Sequence, residues 1–348
     1  MPSSKGYAAQ NAQSPLAPFT FSRREPGATE IAIEVLFCGV CHTDIHMARN
    51  EWGQSAYPMV PGHEIVGRVT KTGSAVKKFK VGDVAAVGVI VDSCRHCAPC
   101  DRGEEHFCLE DPTLTYASTD RVDGTTTMGG YSNNYVVDGR FAHTVPANLD
   151  LAGVAPLLCA GITTYSPLRH WKVGPGMKVG IIGLGGLGHM ALKFAHSFGA
   201  HTVQLTTSPK KKEDALRLGA DEVVISTDKE QMKKHAGSFN FIIDAVSAPH
   251  DMAPYLALLK QDGTLTIVGL PEKPPSIDIF QLISKRIAVA GSMIGGMPET
   301  QEMLDYCGEN NITADVEVIP IDKVNEAFER MLKQDVKYRF VIDMSSLK

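Results

Sequence analysis

Four cysteines, Cys94, Cys97, Cys100 and Cys108, make a CxxCxxCx7C run. Soft thiolates this close together can complete a tetrahedral shell around zinc and leave it no open position. Their chemistry is therefore structural, with the metal clamping a loop that has little apolar content of its own. A second set is dispersed: Cys41 in GVCHTD, His63 and Glu64 in PGHE, and Cys159 in LLCAG. Any one of these alone reads as core packing. Together, two cysteines and a histidine are the protein ligands that leave a zinc ion one open corner for water or substrate.

Gly183-Leu184-Gly185-Gly186-Leu187-Gly188 spells GLGGLG. The motif follows the apolar run Val179–Ile182 and opens a helix whose apolar stripe is Leu187, Ala191, Phe194, Ala195 and Phe198, closed by Gly199. In that context the first glycine permits a tight turn, the second lets backbone N–H groups approach a pyrophosphate, and the third allows close helix packing. A dinucleotide site is predicted. NAD calls for a carboxylate roughly 20 residues beyond the fingerprint, whereas the stretch LTTSPKKK from Leu205 to Lys212 has none before Glu213. The hydroxyls of Thr206, Thr207 and Ser208 and the ammonium groups of Lys210, Lys211 and Lys212 suit a 2′-phosphate dianion, so NADP(H) is the coenzyme expected. The bland alternative for the lysines is a solvated helix face.

Placing these groups calls for two domains, because 348 residues exceed what one hydrophobic core usually serves. The N-terminal part carries short β-like segments, such as Ile31–Phe37 and Ile65–Thr70, broken by Gly and Pro turns. Beyond Trp171, short apolar runs alternate with helical stretches, the pattern of a parallel sheet with covering helices. Strands are predicted at Lys178–Ile182, Thr202–Leu205, Glu222–Ile225, Phe241–Val246, Thr264–Gly269 and Ile287–Gly291, enough for a full dinucleotide fold. From Glu299 the chain reads helix, strand, helix, strand, ending at Tyr338–Asp343, and is expected to pack back onto the first domain.

Composition narrows the function. With 43% hydrophobic and 21% charged residues and a net charge of −5, the chain is globular and has no basic face for nucleic acid or an anionic membrane. A nucleic-acid-binding zinc ribbon is disfavoured by Glu104, Glu105, Glu110 and Asp111 around the four-cysteine loop. MPSSKGYAAQ lacks a secretory apolar stretch, no run approaches a membrane span, and the crowded cysteines point to metal ligation in a reducing compartment. A cytoplasmic protein is expected.

GVCHTDIH, YPMVPGHEIVG, the four-cysteine loop, LLCAGIT, GLGGLGH and GSMIGG, in this order, resemble the zinc-containing medium-chain dehydrogenases over essentially the entire chain. Within that family the motifs look like the cinnamyl alcohol dehydrogenase subgroup, especially its bacterial broad-range aldehyde reductases. The resemblance implies an α/β fold class. A GroES-like β-rich catalytic domain would span residues 1–155 and 296–348, and a Rossmann domain with a doubly wound parallel six-stranded sheet would span 156–295. It implies a structural zinc on the four-cysteine loop and a catalytic zinc on Cys41, His63 and Cys159, with Glu64 able to approach the metal.

By the same resemblance Asp44 would accept the second ring N–H of His63, Thr43 would stand beside the substrate oxygen, and His46 would relay a proton to solvent. Glu51, where the subgroup often has Asp, is left outside that relay. Coenzyme contacts extend to Val268 and to Ser292, Met293 and Ile294. Trp52, Met59, Met293 and Ile294 are read as walls of an apolar substrate slot. The implied activity is hydride transfer between NADP(H) and aromatic or medium aliphatic aldehydes or primary alcohols, by a homodimer with neither membrane nor nucleic-acid partner. The competing reading is an NAD-dependent alcohol or polyol dehydrogenase working mainly in the oxidative direction.

Overall fold

The computed structural model describes residues 3–271 and 273–348. It divides into two compact units, one reaching Ile162 and resuming at Gly295, the other Thr163–Ile294.

The frame of the first unit is the strand Glu30–Val40. Its β-branched residues Ile31, Ile33 and Val35 are buried while Glu34 faces solvent, the alternation of a strand with one covered face. Towards its end Cys38, Gly39 and Val40 are all buried, because both faces are covered there. This strand pairs antiparallel with Asn134–Asp138, Ile65–Thr72 and Arg339–Asp343. The sheet runs in the order Val316–Pro320, Arg339–Asp343, Glu30–Val40, Ile65–Thr72, Val84–Val87, His143–Thr144. The C-terminal segment thus supplies two strands to a sheet begun near the N-terminus.

This unit runs past the boundary at 155 drawn from the sequence. The helical turns Leu151–Val154 and Ala155–Leu158 bury Ala152, Val154, Leu157 and Leu158 against its strands, so Cys159 stays with Cys41 and His63.

The second unit is an all-parallel sheet in the order Glu222–Ile225, His201–Thr206, Lys178–Ile182, Phe239–Asp244, Leu259–Ile267, Ala288–Gly291. Numbered along the chain this is the 3-2-1-4-5-6 order of a dinucleotide fold. Its central strands are apolar almost without break because helices cover both faces. Ile182, Val203, Leu205, Phe239, Ile242 and Leu265 anchor the core. The strand Leu259–Ile267 starts earlier than expected, since Leu259 already pairs with Phe239 ahead of an irregularity in register. Among the described residues no single helix is long and apolar enough to cross a membrane.

Candidate metal and coenzyme sites

The four-cysteine loop leaves the sheet between Ile90–Asp92 and Thr113–Leu114, which pair with each other. All four Sγ atoms lie within 4.8 Å of one another. Cys97 and Cys100 are 3.4 Å apart, and Cys94 and Cys100 3.9 Å. Backbone N–H groups aim at the sulfurs: that of Cys94 at Cys108 Sγ (3.4 Å) and that of Leu109 at Cys97 Sγ (3.5 Å). The Leu109 N–H, followed by that of Cys100, holds the Cys97 thiol down to about 6. Four sulfurs at this spacing, one of them favouring thiolate, fit a zinc ion with no open corner.

Cys41, His63, Glu64 and Cys159 also bring one donor atom each to within 4.8 Å of the others. Cys41 caps the helix His42–Ala48, and Asp44 in its first turn accepts the Cys41 N–H at 2.9 Å. The other Asp44 oxygen accepts the N–H of Gly62 at 3.0 Å. One buried carboxylate therefore ties together the two backbone segments that carry Cys41 and His63. The Tyr131 hydroxyl donates to it at 3.1 Å, and burial pushes its acid up against the opposing pull of His63.

The expected bond from His63 to Asp44 is not formed. His63 Nδ1 stands 3.6 Å from Asp44 Oδ1, beyond hydrogen-bond reach, while that oxygen accepts the Gly62 N–H. His63 Nε2 and Glu64 Oε2 are buried with no hydrogen-bond partner. Buried polar atoms ordinarily find partners. A cation accepting lone pairs from this nitrogen and from the Cys41 and Cys159 sulfurs, 3.8 Å apart, supplies one, so the donor set fits zinc. The Cys159 S–H and then His63 hold the Cys41 thiol well below its usual range. Burial opposes charge on His63, but Asp44, Cys41 and Glu64 outweigh it and raise the ring to about 9, so metal binding here displaces a proton.

Glu64 depends on Gly39, since a Cβ at position 39 would fall 1.8 Å from Glu64 Oε2. Its other oxygen accepts from Arg339 Nη2 at 2.5 Å, and the same nitrogen donates to Val40 O at 2.9 Å. Burial raises the Glu64 carboxyl to about 7 in spite of this guanidinium. Arg339 is absent from the residues singled out in the sequence; a lone arginine opening RFVID carries no sign that it is buried beside a metal set.

Thr43 and His46 are half-buried on the helix His42–Ala48, while Asp44 and Ile45 turn inward. Beyond the helix, Asn50 (φ 53°) and Gly53 (φ 72°) fold the chain back. Glu51 Oε2 then meets His46 Nδ1 at 2.5 Å, and the Trp52 ring stacks on the imidazole with centroids 4.9 Å apart. Glu51 thus reaches the residue whose relay it was left out of. A carboxylate on Nδ1 favours the tautomer that carries its proton there and leaves Nε2 to accept. Met59, read as a pocket wall, is instead core: it is 1% exposed and bridges to Ala9.

In the second unit Gly183 turns the chain at φ 86° out of the strand Lys178–Ile182, and the helix Gly186–Ser197 begins three residues later. A Cβ on Gly188 would lie 2.1 Å from Gly183 O, whereas one on Gly185 would meet nothing within 4 Å. The turn is closed on the protein side and open on the other, a cradle for a pyrophosphate. Thr206 ends the neighbouring strand, buried, with its hydroxyl accepting the Ser208 N–H at 3.2 Å, so it shapes the turn. Thr207 is exposed and Ser208 half-buried. Lys211 Nζ donates to Leu184 O at 3.0 Å, and partial burial lowers its pKa. Val268 and Ser292–Ile294 follow the ends of Leu259–Ile267 and Ala288–Gly291. Parallel strands therefore bring the fingerprint, the hydroxyl and lysine turn, and these residues to one carboxyl edge.

Two family models match: "Alcohol dehydrogenase GroES-like domain" over residues 27–147 and "Zinc-binding dehydrogenase" over residues 186–309. The aldehyde reductase YahK of Escherichia coli is 54% identical, with 99% of each chain covered. A cinnamyl alcohol dehydrogenase from Sorghum bicolor has 48% identity and a TM-score of 0.96, covering 100% of this chain and 99% of that one. The CAD from Helicobacter pylori, solved in complex with NADP(H), has 41% identity and a TM-score of 0.93, with 99% of each chain covered.

Proposed function

The chain belongs to the zinc-containing medium-chain alcohol dehydrogenases, and from that premise we propose that it is an NADP(H)-linked reductase of aromatic or medium aliphatic aldehydes that also oxidises the matching primary alcohols. The observation that carries the coenzyme choice is the turn after His201–Thr206, which offers Thr207, Ser208 and Lys211 and no carboxylate before Glu213. Hydroxyl and ammonium donors complement a phosphate dianion, and a carboxylate there would repel it.

When bound, zinc supplies Lewis-acid polarisation of the carbonyl oxygen and the nicotinamide supplies the hydride. The chain's own residues do the rest. Cys41, His63 and Cys159 hold the metal, and Asp44 keeps the two segments bearing Cys41 and His63 in register. Arg339 holds one Glu64 oxygen and leaves the other to the donor cluster. Reduction consumes one proton besides the hydride: the Thr43 hydroxyl delivers it to the substrate oxygen, and His46, set by Glu51, replaces it from solvent.

The deciding experiment counts zinc and then measures reduction across a panel of aldehydes with NADPH and NADH. The expectation is one structural and one catalytic zinc per chain, with kcat/KM for NADPH about tenfold or more above NADH, since charge-assisted contacts of this kind are worth at least one such factor. A preference for NADH would overturn the phosphate reading in favour of an NAD-dependent alcohol or polyol dehydrogenase.

A homodimer and a cytoplasmic location complete the proposal. The marginal strand Ala288–Gly291 and the exposed Ile279, Phe280 and Ile283 beside it support self-association; sedimentation at the mass of one protomer would contradict it. None of the described cysteines forms a disulfide, as a reducing compartment maintains. Recovery of the native protein in a secreted fraction would contradict that location.

A further inference from the structure

Gln204 lies in the middle of the strand His201–Thr206, fully buried between Val203 and Leu205. An amide in an apolar parallel sheet is costly unless it is hydrogen-bonded. Its Nε2 lies 3.0 Å from Ile181 O, 2.9 Å from Gly183 O and 3.1 Å from Leu205 O. Exchanging the amide nitrogen and oxygen would set an oxygen against three carbonyl oxygens, so the orientation is determined.

Gly183 O is the informative partner. At Gly183 the chain leaves the ladder, its N–H still bonded to Leu205 O at 3.0 Å, while its carbonyl turns towards Gly188. This half-buried carbonyl has left the ladder and takes its hydrogen bond from Gln204 instead. One residue later Leu184 O accepts from Lys211 Nζ. Two side chains of the second βα unit thus hold two successive carbonyls of the fingerprint turn. In a trans peptide the next N–H points opposite to the carbonyl. Holding these two carbonyls therefore directs the N–H groups of Leu184 and Gly185 the other way, and neither of these donates a hydrogen bond among the described residues.

We propose that Gln204 is a positioning residue of the coenzyme site: by holding the Gly183 carbonyl it fixes the Gly183–Leu184 peptide plane, and with it the Leu184 N–H presented to the pyrophosphate. The contribution is preorganisation, because a turn already oriented pays no ordering cost on binding. This rests on the reading of residues 183–188 as the NADP(H) cradle.

The test is Gln204→Met, close in shape but without the donor, in the zinc-loaded enzyme. NADPH and 2′-AMP are titrated in parallel; the second probe takes the phosphate site but has no pyrophosphate. Loss of one net hydrogen bond's worth of preorganisation predicts about a tenfold rise in Kd for NADPH. The Kd for 2′-AMP and kcat at saturating NADPH stay within about twofold, since neither depends on the Leu184 N–H. Equal rises for both probes, which general damage to the sheet would produce, overturn the proposal, and so does an unchanged Kd for NADPH. Gln204→Leu carries the same test should the methionine form not fold. A wild-type protein that fails to bind NADPH would instead sink the coenzyme reading itself.

Discussion

Both metal-binding clusters lie in the first unit and both rely on cysteine, yet they are assembled in opposite ways. The four-sulfur cluster comes from one loop, and backbone N–H groups of the same loop point at its sulfurs. The mixed cluster draws Cys41 from a helix cap, His63 from the approach to a strand, and Cys159 from the end of a helical turn. It also buries a histidine nitrogen and a carboxylate oxygen without protein partners. A closed shell needs only local spacing. The mixed cluster needs several elements to converge, and Arg339 and Gly39 make room for and hold its carboxylate, whereas the four-sulfur cluster includes no carboxylate.

The largest effect should come from Cys159→Ala. Several kcal/mol of Lewis-acid stabilisation correspond to a loss of turnover on the order of a thousandfold. The protein should keep its circular dichroism and lose one zinc; near wild-type rates would erase the distinction between the clusters. Arg339→Met comes next. Without the guanidinium the Glu64 carboxyl loses the main group that opposes the upward push of its burial. Loss of such an outer-sphere partner typically costs about 10–100-fold in activity or metal affinity, to be read from zinc retention and the pH–rate profile.

Cys97→Ser should separate stability from chemistry: a few kcal/mol lost from a unit of this size lowers the melting temperature on the order of 5–10 °C. Turnover per catalytic zinc stays unchanged at low temperature, and a parallel collapse of turnover would show that the loop serves the reaction directly. The smallest effect lies outside both clusters. Burial, aided by Lys78, holds His143 down to about 3, against 6.5 for an ordinary ring. Below pH 6.5 the unfolded chain takes up a proton that the folded one refuses until about pH 3, so stability is lost as pH falls through that window. Between pH 7 and 5 this group contributes a loss of about 2 kcal/mol. His143→Phe should remove it in urea titrations, leaving the acid sensitivity of the metal ligands and of the other groups held below their usual range, such as His106 and His235.

What could be seen in the sequence follows the same division. The four-cysteine loop and GLGGLG are short-range patterns, and the strands Lys178–Ile182 and Glu222–Ile225 lie where the apolar runs placed them. Arg339 was invisible because it acts on Glu64 across 275 residues, through a strand pairing that no local pattern announces. Glu51 meets His46 across the left-handed turn at Asn50, and that turn depends on backbone conformation more than on composition. Asp44 was expected to accept the His63 ring N–H, but the groups that bond to it are the backbone N–H groups of Cys41 and Gly62 and the Tyr131 hydroxyl, which no local pattern announces. Gln204 in an apolar run looks like a blemish in a strand until the turn beyond it is in view.

The strand Arg339–Asp343, wedged between Val316–Pro320 and Glu30–Val40, carries a consequence for biosynthesis. Arg339 is translated long after Cys41, His63 and Cys159, so the ribosome releases three ligands and their carboxylate well before the cation that steadies them. All four sulfurs of the loop emerge together, whereas the mixed cluster gains its guanidinium only when Arg339–Asp343 pairs with Glu30–Val40.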